Sequence, residues 1–194
     1  LVLFYNKNKL NFGECNVYGL IPPAGFFQAT KIAEYQLIKN ILNEIEIGNG
    51  YVLDLYSGSG TFTLPLLKIG YKVYAIDNNK SSIESLIKSA KEQNLFNNIE
   101  YNISNLNKEK IESQFFRKFD VVILDPPRAG SLLQLTSIVE TKVKKIIYVS
   151  CNVQSFLRDT QILLSNGYKI KYVLPIDQFL YTSHLEIFSV FETL

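Results

Sequence analysis

Between residues 51 and 165 the chain alternates short apolar runs with segments whose apolar residues recur at helical spacing. The apolar runs are continuous, which is typical of parallel strands that are buried on both faces. Helices that connect such strands cover the two faces of the sheet. The alternation therefore predicts an α/β fold with a mostly parallel sheet and helices on both faces.

The same pattern gives the bounds of the elements. Helices are predicted at 30–45, 62–68, 81–93, 132–140 and 154–165. Strands are predicted at 51–56, 72–76, 99–103, 120–124, 146–149, 168–174 and 185–191. The last two strands follow one another without a helix, and such a connection joins antiparallel strands. We therefore expect seven strands, with an antiparallel pair at one edge of the sheet.

Length and composition bound the kind of protein. The chain has 194 residues, of which 47% are hydrophobic and 20% are charged, as in an ordinary globular domain. We expect residues 29–194 to form that domain and residues 1–28 to be the remnant of a preceding segment. The sequence contains no Met, so we expect a fragment that lacks an N-terminal region. No apolar stretch approaches the roughly 18 residues that cross a bilayer, so we expect no membrane contact. We also expect the protein to be a monomer and to lie in the cytoplasm.

The cysteines and the histidine limit the metal chemistry. Cys15 and Cys151 lie in different contexts, which favours free thiols in a reducing compartment over a disulfide. No pair of cysteines has metal-ligand spacing, and the chain has a single His. We therefore expect neither a metal site nor an iron–sulfur cluster.

A glycine-containing turn follows the first predicted strand. Gly58 and Gly60 permit a tight turn and close approach of a ligand to the backbone, and Asp77 at the end of the next strand is placed to bind ribose hydroxyls. A dinucleotide loop would carry a third glycine near residues 62–63. The pattern therefore favours a nucleoside cofactor without phosphates, such as S-adenosylmethionine. Asn105 follows the third strand, where it either reaches the adenine or forms a turn.

Cys151 follows the predicted strand 146–149, at the carboxyl end where ligand and catalytic groups gather in open α/β sheets. A free Cys is commonly buried and inert. Here the strand-end position, the polar neighbours Ser150 and Asn152, and the start of a helix near Gln154 favour a nucleophile instead. We expect the helix N-terminus to lower the pKa of the thiol from about 8.5 toward neutrality.

Two carboxylates stand out in apolar surroundings. Asp125 begins an Asp-Pro-Pro-Arg turn, in which two prolines stiffen the backbone and Arg128 is placed to hold a phosphate. A rigid turn is the simpler interpretation of that segment. Glu186 lies between Leu185 and Ile187 in the last strand, and a carboxylate there must be paired, protonated or active as an acid or base.

Five motifs occur in one order along the chain. They are Phe26-Phe-Gln28, Asp54-Leu-Tyr-Ser-Gly-Ser-Gly60, Leu124-Asp-Pro-Pro-Arg-Ala-Gly130, Ser150-Cys-Asn152 and the stretch from Asp177 to Glu186. Over about residues 20–192 the chain resembles the RNA 5-methyluridine methyltransferases, which act on tRNA or rRNA. The resemblance implies a Rossmann-like class I S-adenosylmethionine-dependent methyltransferase domain with RNA as its partner.

The resemblance also implies roles for single residues. Cys151 would add to C6 of a flipped-out uracil, C5 would take the methyl group, and Glu186 would remove the C5 proton. Asp125 would lie near the methyl group or the base. The implied cofactor-binding residues are Gln28, Tyr56, Gly58, Gly60, Thr61, Asp77, Asn105 and Asp125.

Three other functions remain open at this stage. RNA cytosine-C5 methyltransferases commonly carry a second Cys beside the fourth-strand Pro motif, and this chain has none there. A methyltransferase for exocyclic amines of RNA bases has no need of Cys151. A non-catalytic nucleoside-binding or RNA-binding domain would tolerate Cys151→Ala and Glu186→Gln without loss of function.

Overall fold

The structure is a computed structural model that describes residues 6–8, 17–22, 30–45, 50–178 and 185–193, with backbone only at 6–8 and Ile21. Some residues that the sequence singled out lie outside the described residues: Cys15, Phe26, Phe27, Gln28 and His184.

The predicted helices agree with the observed ones to within one residue at each end. The helices are α1 (Lys31–Glu44), α2 (Thr63–Lys68), α3 (Lys80–Glu92), α4 (Ser113–Phe116), α5 (Leu132–Thr141) and α6 (Val153–Ser165). Side-chain oxygens cap the N-termini of the three longest. Thr30 accepts from Ala33 N at 3.1 Å, and Asn79 accepts from Ser82 N at 3.2 Å. The four-residue α4 was not predicted, because it is too short to show a helical period.

The strands are β1 (Asn6–Asn8), β2 (Gly19–Ile21), β3 (Tyr51–Leu55), β4 (Lys72–Asp77), β5 (Ile99–Ile103), β6 (Val121–Leu124), β7 (Lys145–Ser150), β8 (Tyr168–Ile176) and β9 (Glu186–Thr193). Strands β3 to β9 form one seven-stranded sheet in the order β5-β4-β3-β6-β7-β9-β8. Neighbours from β5 to β7 are parallel, whereas β9 is antiparallel to both β7 and β8. The predicted antiparallel edge pair is confirmed, and the reversed strand is the inner one of the two.

Helices cover both faces of the sheet, as predicted. Successive residues of a strand point to opposite faces, so each strand supplies side chains to both buried layers. Val52 packs with α1, α2 and α3 in one buried cluster, together with Leu37 and Leu66. Leu53 packs with α4, α5 and α6 in the other cluster, together with Leu135. With a filled core on each face, the strand ends are the open places where a ligand can bind.

Strand β2, which pairs with β1, lies against α3. The side chain of Gln93 accepts from Tyr18 N at 3.0 Å and donates to Tyr18 O at 2.7 Å, so it pairs with the backbone much as a strand would. Ser89 Oγ accepts from Leu20 N at 2.8 Å. Tyr18 and Leu20 are therefore anchored on α3 in the helical layer of the sheet, while the proposed boundary near residue 28 stays a prediction. Within the described ranges, no helix combines the length and hydropathy that a membrane crossing requires.

Candidate active site

The polar residues singled out by the sequence meet at one edge of the sheet. Strands β3, β4, β6 and β7 are parallel, so their carboxyl ends share an edge. The glycine loop (residues 56–60), Asp77, Asp125 and Cys151 follow these four strands. Because β9 runs in the opposite direction, its first residue, Glu186, lies at the same edge.

The glycine loop turns sharply away from β3. Tyr56 and Ser57 both donate their backbone N–H to Ile76 O, at 2.8 and 3.1 Å. Tyr56 has φ +64° and Gly58 has φ +54°, a backbone region that side chains rarely adopt. A Cβ added to Gly58 would meet no heavy atom within 4 Å. The loop therefore presents open space at Gly58, where a ligand can approach the backbone.

Asp77 lies directly beside this loop. Its Oδ2 accepts from Gly58 N at 2.9 Å, and its Oδ1 accepts from Asn79 N at 2.8 Å. Each carboxylate oxygen has a second lone pair, so Asp77 keeps acceptor capacity for hydroxyl groups. The predicted adjacency of the glycine loop and Asp77 is thus present in the structure.

Gly60 serves a different purpose from Gly58. It has φ +92°, and a Cβ there would overlap the side chain of Leu86 in α3 and approach Leu64 at 3.2 Å. Gly60 therefore lets the loop pack closely on α3, which fixes the loop without facing a ligand. Thr61 follows it and is half-buried.

Asp54 is a site candidate that our sequence analysis quoted in a motif but did not single out. The side chain is fully buried in β3, and burial raises its pKa to about 7, although a 2.5 Å hydrogen bond from Thr63 Oγ1 acts in the opposite direction. Among the described residues, Asp54 Oδ1 and the hydroxyls of Ser57 and Ser59 are buried without a hydrogen-bond partner. A ligand that carries donors, such as the amino group of S-adenosylmethionine, fits these acceptors. The sequence carries a signal for Asp54, because it is a carboxylate in an apolar strand. The same feature singled out Glu186.

Asn105 forms a turn. Its Oδ1 accepts from Asn107 N at 3.1 Å, and its carbonyl accepts from Lys108 N and Glu109 N at 2.8 Å each. The turn interpretation is therefore supported, while a contact between Asn105 and an adenine stays a prediction.

Cys151 and Glu186 are neighbours across two strands. Ser150, the last residue of β7, pairs with Ile187 of β9. This pairing places Cys151, the residue after β7, beside Glu186, the first residue of β9. The Cys151 thiol is free and half-buried, whereas Glu186 is only 2% exposed. The negative charge of Glu186 is close enough to raise the pKa of Cys151. A free thiol and a buried carboxylate therefore lie side by side in this part of the site.

The predicted lowering of the Cys151 pKa is wrong. Burial raises the pKa of the thiol, and the charges of Glu186 and Asp125 raise it further, while Arg128 partly offsets them. At the N-terminus of α6, two of the first amides are already engaged by a side chain. Asn152 Oδ1 accepts from the backbone N–H of residues 154 and 155, at 2.9 and 3.0 Å.

Glu186 has the properties of a proton acceptor near neutral pH. Burial raises its pKa to about 7, and a hydrogen bond from Gln178 Nε2 at 2.6 Å opposes that rise. A carboxyl group with this pKa gains and loses a proton readily at physiological pH.

The loop after β6 places Asp125 between the glycine loop and Cys151. The backbone N–H of Asp125 donates to Leu55 O at 3.4 Å, and its negative charge is close enough to raise the pKa of Cys151. A turn closed by Gly130 N and Pro127 O at 2.8 Å then leads into α5. Within the ranges that the structure describes, no cluster of three or more His, Cys, Asp or Glu is arranged to hold a metal ion.

The strand order, the single reversed strand and the glycine loop beside Asp77 define a class I S-adenosylmethionine-dependent methyltransferase fold. The profile of the tRNA (uracil-5-)-methyltransferase family matches residues 5–193, and the chain belongs to that family.

Individual relatives agree with this assignment. The chain is 36% identical over 169 residues to 23S rRNA (uracil(1939)-C(5))-methyltransferase RlmD of Pasteurella multocida, covering 86% of the chain and 38% of that protein. It is 33% identical over 208 residues to RlmD of Haemophilus influenzae (strain KW20), covering all of the chain and 47% of that protein. The chain thus spans less than half the length of these relatives.

A solved structure is also similar. The Pyrococcus abyssi tRNA (uracil-54, C5)-methyltransferase in complex with S-adenosyl-L-homocysteine superposes with a TM-score of 0.81 at 30% identity. The match covers 96% of this chain and 44% of that one.

Proposed function

We propose that this chain is the catalytic domain of an RNA uracil-C5 methyltransferase, which transfers a methyl group from S-adenosylmethionine to a uridine in tRNA or rRNA. The single observation that carries the proposal is the pair Cys151 and Glu186 at the sheet edge that also holds the glycine loop. Family membership and the named relatives support it.

The cofactor half of the site suits S-adenosylmethionine, which supplies an electrophilic methyl group when bound. In the proposal, Asp77 accepts hydrogen bonds from the ribose hydroxyls, and the open backbone at Gly58 admits the nucleoside. The buried oxygen of Asp54 accepts from a cationic donor. The remaining proposed cofactor contacts are Gln28, Tyr56, Thr61, Asn105 and Asp125, whereas Gly60 supports the cofactor loop by packing on α3.

The other half suits covalent catalysis on a pyrimidine. In the proposal, Cys151 forms a bond from sulfur to C6 of the uracil, and the electron pair of the C5–C6 double bond makes C5 nucleophilic. C5 then takes the methyl group as its bond to the sulfonium sulfur breaks and S-adenosylhomocysteine is left, and Glu186 removes the C5 proton. The S–C6 bond breaks as the double bond returns, so the thiolate leaves and 5-methyluridine is released.

The pKa values bear on the first step. The raised pKa of Cys151 keeps its sulfur protonated in the resting protein, so the proton must leave as the sulfur attacks. Glu186 lies beside it with a pKa of about 7; when ionised it can accept this proton, which then passes to water before Glu186 removes the C5 proton. A protonated Glu186 also removes one of the negative charges that disfavour the thiolate. The activation of Cys151 therefore depends on whether Glu186 is protonated.

We further propose that RNA is the partner, that the chain acts as a monomer, and that it works in the cytoplasm. A free Cys151 thiol is what covalent catalysis needs, and a reducing compartment maintains it. Arg128, which is exposed beside the site, is placed to approach an RNA phosphate.

The test is a methyl-transfer assay with transcribed tRNA and rRNA fragments, followed by mass spectrometry of the nucleosides. We expect 5-methyluridine, and we expect Cys151→Ala to lower the rate by at least about 1,000-fold because the nucleophile is gone. Calorimetry should show unchanged binding of S-adenosylhomocysteine to that variant. A 5-methylcytidine or N-methylated product, or a fully active Cys151→Ala variant, would overturn the proposal.

A further inference from the structure

A fully buried carboxylate, which the proposed chemistry does not use, lies beneath the loop Asp125–Ser131. Asp159, in the second turn of α6, has no exposed surface. Its Oδ2 accepts from Ser131 N at 2.8 Å and from Tyr148 Oη at 2.6 Å. Its Oδ1 accepts from Arg158 Nε at 2.8 Å and Nη2 at 2.6 Å. All four acceptor positions of the carboxylate are therefore filled.

These bonds join Asp159 to the loop that carries Asp125. The Arg158 Nη2 donor also bonds Ala129 O at 2.9 Å, so one guanidinium holds both the carboxylate and the loop backbone. Gly130 has φ +78°, and a Cβ there would lie 2.5 Å from Asp159 Oδ2. The loop can approach Asp159 this closely because residue 130 is a glycine.

The same carboxylate is tied to the elements on either side of Cys151. Tyr148 lies three residues before the nucleophile in β7, and Asp159 belongs to α6, which begins two residues after it. Ser131 extends the network toward the cofactor, because its Oγ lies 3.1 Å from Tyr56 Oη. Tyr56 is the residue of the glycine loop with φ +64°.

A buried charge is retained at a cost unless strong hydrogen bonds compensate for its lost hydration. Here the charged acceptor binds a backbone N–H, a tyrosine hydroxyl and a guanidinium, which fixes the relative positions of three separate segments. Catalytic groups need such fixing, because a displacement of about 1 Å costs about 100-fold in rate.

We propose that Asp159 is a positioning residue that holds the loop Asp125–Ser131 at its working distance from Cys151 and, through Ser131 and Tyr56, orients the glycine loop. This inference deepens the proposed function and rests on it wherever methyl transfer is the readout. The charge is essential to the role, because an Asn at this position would turn its NH₂ group toward either Ser131 N–H or Arg158, where donors already point.

The test compares Asp159→Asn with Tyr148→Phe and Ser131→Ala, which each remove one hydroxyl of the network. The control is Leu37→Ala, a fully buried residue of α1 in the cluster on the opposite face of the sheet. Each protein is assayed below its melting temperature for kcat and for KM of S-adenosylmethionine. Alkylation of Cys151 by iodoacetamide is measured in a Cys15→Ser background, which reports the loop position without any RNA.

We expect Asp159→Asn to lower kcat by about 30- to 100-fold, with a smaller change in KM, and to raise the alkylation rate as the loop moves away from the thiol. The two hydroxyl variants should lose about 3- to 10-fold in kcat. Leu37→Ala should melt earlier but keep its kcat and its alkylation rate. If Asp159→Asn does not fold, the hydroxyl variants carry the test.

Wild-type kcat and alkylation in Asp159→Asn, or in both hydroxyl variants, would overturn the inference. Losses no larger than those of Leu37→Ala would overturn it as well. If the wild-type protein methylates no uridine, the proposed function fails, whereas the alkylation rates still decide whether Asp159 positions the loop.

Discussion

The two halves of the active-site edge are built in different ways. The proposed cofactor half is built around residues 54–77 of two successive βα units, and the bond from Gly58 N to Asp77 joins them. The proposed catalytic half takes Asp125, Cys151 and Glu186 from three separate stretches and depends on the register of β7 and β9. A local sequence pattern can therefore specify the first half, but only the assembled sheet specifies the second.

Both halves nevertheless contain a buried carboxyl group with a pKa of about 7, Asp54 on one side and Glu186 on the other. Burial is the main cause in each case. Asp54 is held by Thr63 within its own half, whereas Glu186 is held by Gln178, which approaches β9 from the end of β8. Removing each group separately distinguishes a binding role from a chemical one.

The largest effect is expected for Glu186→Gln. Turnover should fall by at least about 1,000-fold because the base is lost after methyl transfer, whereas the affinity for S-adenosylhomocysteine should not change. A covalent protein–RNA adduct should accumulate and survive a denaturing gel. In the wild type, turnover should rise with pH through about 7, as Glu186 loses its proton. Full turnover of the variant without an adduct would contradict the assigned role.

Asp54→Asn should change how stability depends on pH. The folded-state pKa of about 7 lies above the ordinary value of 3.8, so the protonated form stabilises the fold. This contribution to the free energy of unfolding is fully present below pH 3.8 and is lost as the pH rises through 7. The total loss is up to about 4 kcal/mol.

Urea unfolding at several pH values, in a Glu186→Gln background, measures the Asp54 effect. The Asn variant should lack most of the loss, while the control Glu84→Gln on the exposed face of α3 should retain it. Parallel pH curves for Asp54→Asn and its background would show that Asp54 does not titrate in this way.

Asp77→Ala should weaken cofactor binding and leave the catalytic half intact. The loss of a charged acceptor corresponds to about 10- to 100-fold in the dissociation constant of S-adenosylhomocysteine. At saturating S-adenosylmethionine the methyl-transfer rate should be close to that of the wild type. The opposite split, with normal binding and slow transfer, would mean that the two halves are not separable.

The two glycines of the loop should differ in what they affect. Gly60→Ala should lower the free energy of unfolding by about 2 kcal/mol, because the new methyl group overlaps Leu86 and the residue is strained. Gly58→Ala has open space and should cost about 1 kcal/mol, from strain alone, while it weakens cofactor binding. Calorimetry and urea unfolding measure both quantities. Equal effects of the two substitutions on binding would contradict the assignment of Gly60 to packing.

Much of the fold follows from the sequence, because strand and helix periods are local signals. The five predicted helices and seven predicted strands all occur, and the reversed strand was visible as two consecutive strands without a helix. The neighbourhood of Gly58 and Asp77 was predictable for the same reason. Parallel strands bring the ends of successive βα units to one edge.

What the sequence did not reveal depends on burial and on distant partners. The pKa of Cys151 was predicted to be low from the nearby helix, but burial of the thiol raises it, and two carboxylates that are distant in the chain raise it further. The network of Asp159 was also missed, because its partners at 131 and 148 lie on different elements. A charged residue within a helix gives no sign of burial until the helix is packed.

The position of β9 has a consequence for how the molecule matures. This strand is last among the seven in chain order, yet it lies between β7 and β8, which both precede it. A nascent chain that has not yet placed β9 holds the sulfur of Cys151 without the carboxylate of Glu186. Because β8 reaches the rest of the sheet only through β9, the thiol and the carboxylate become neighbours only when β9 is in place.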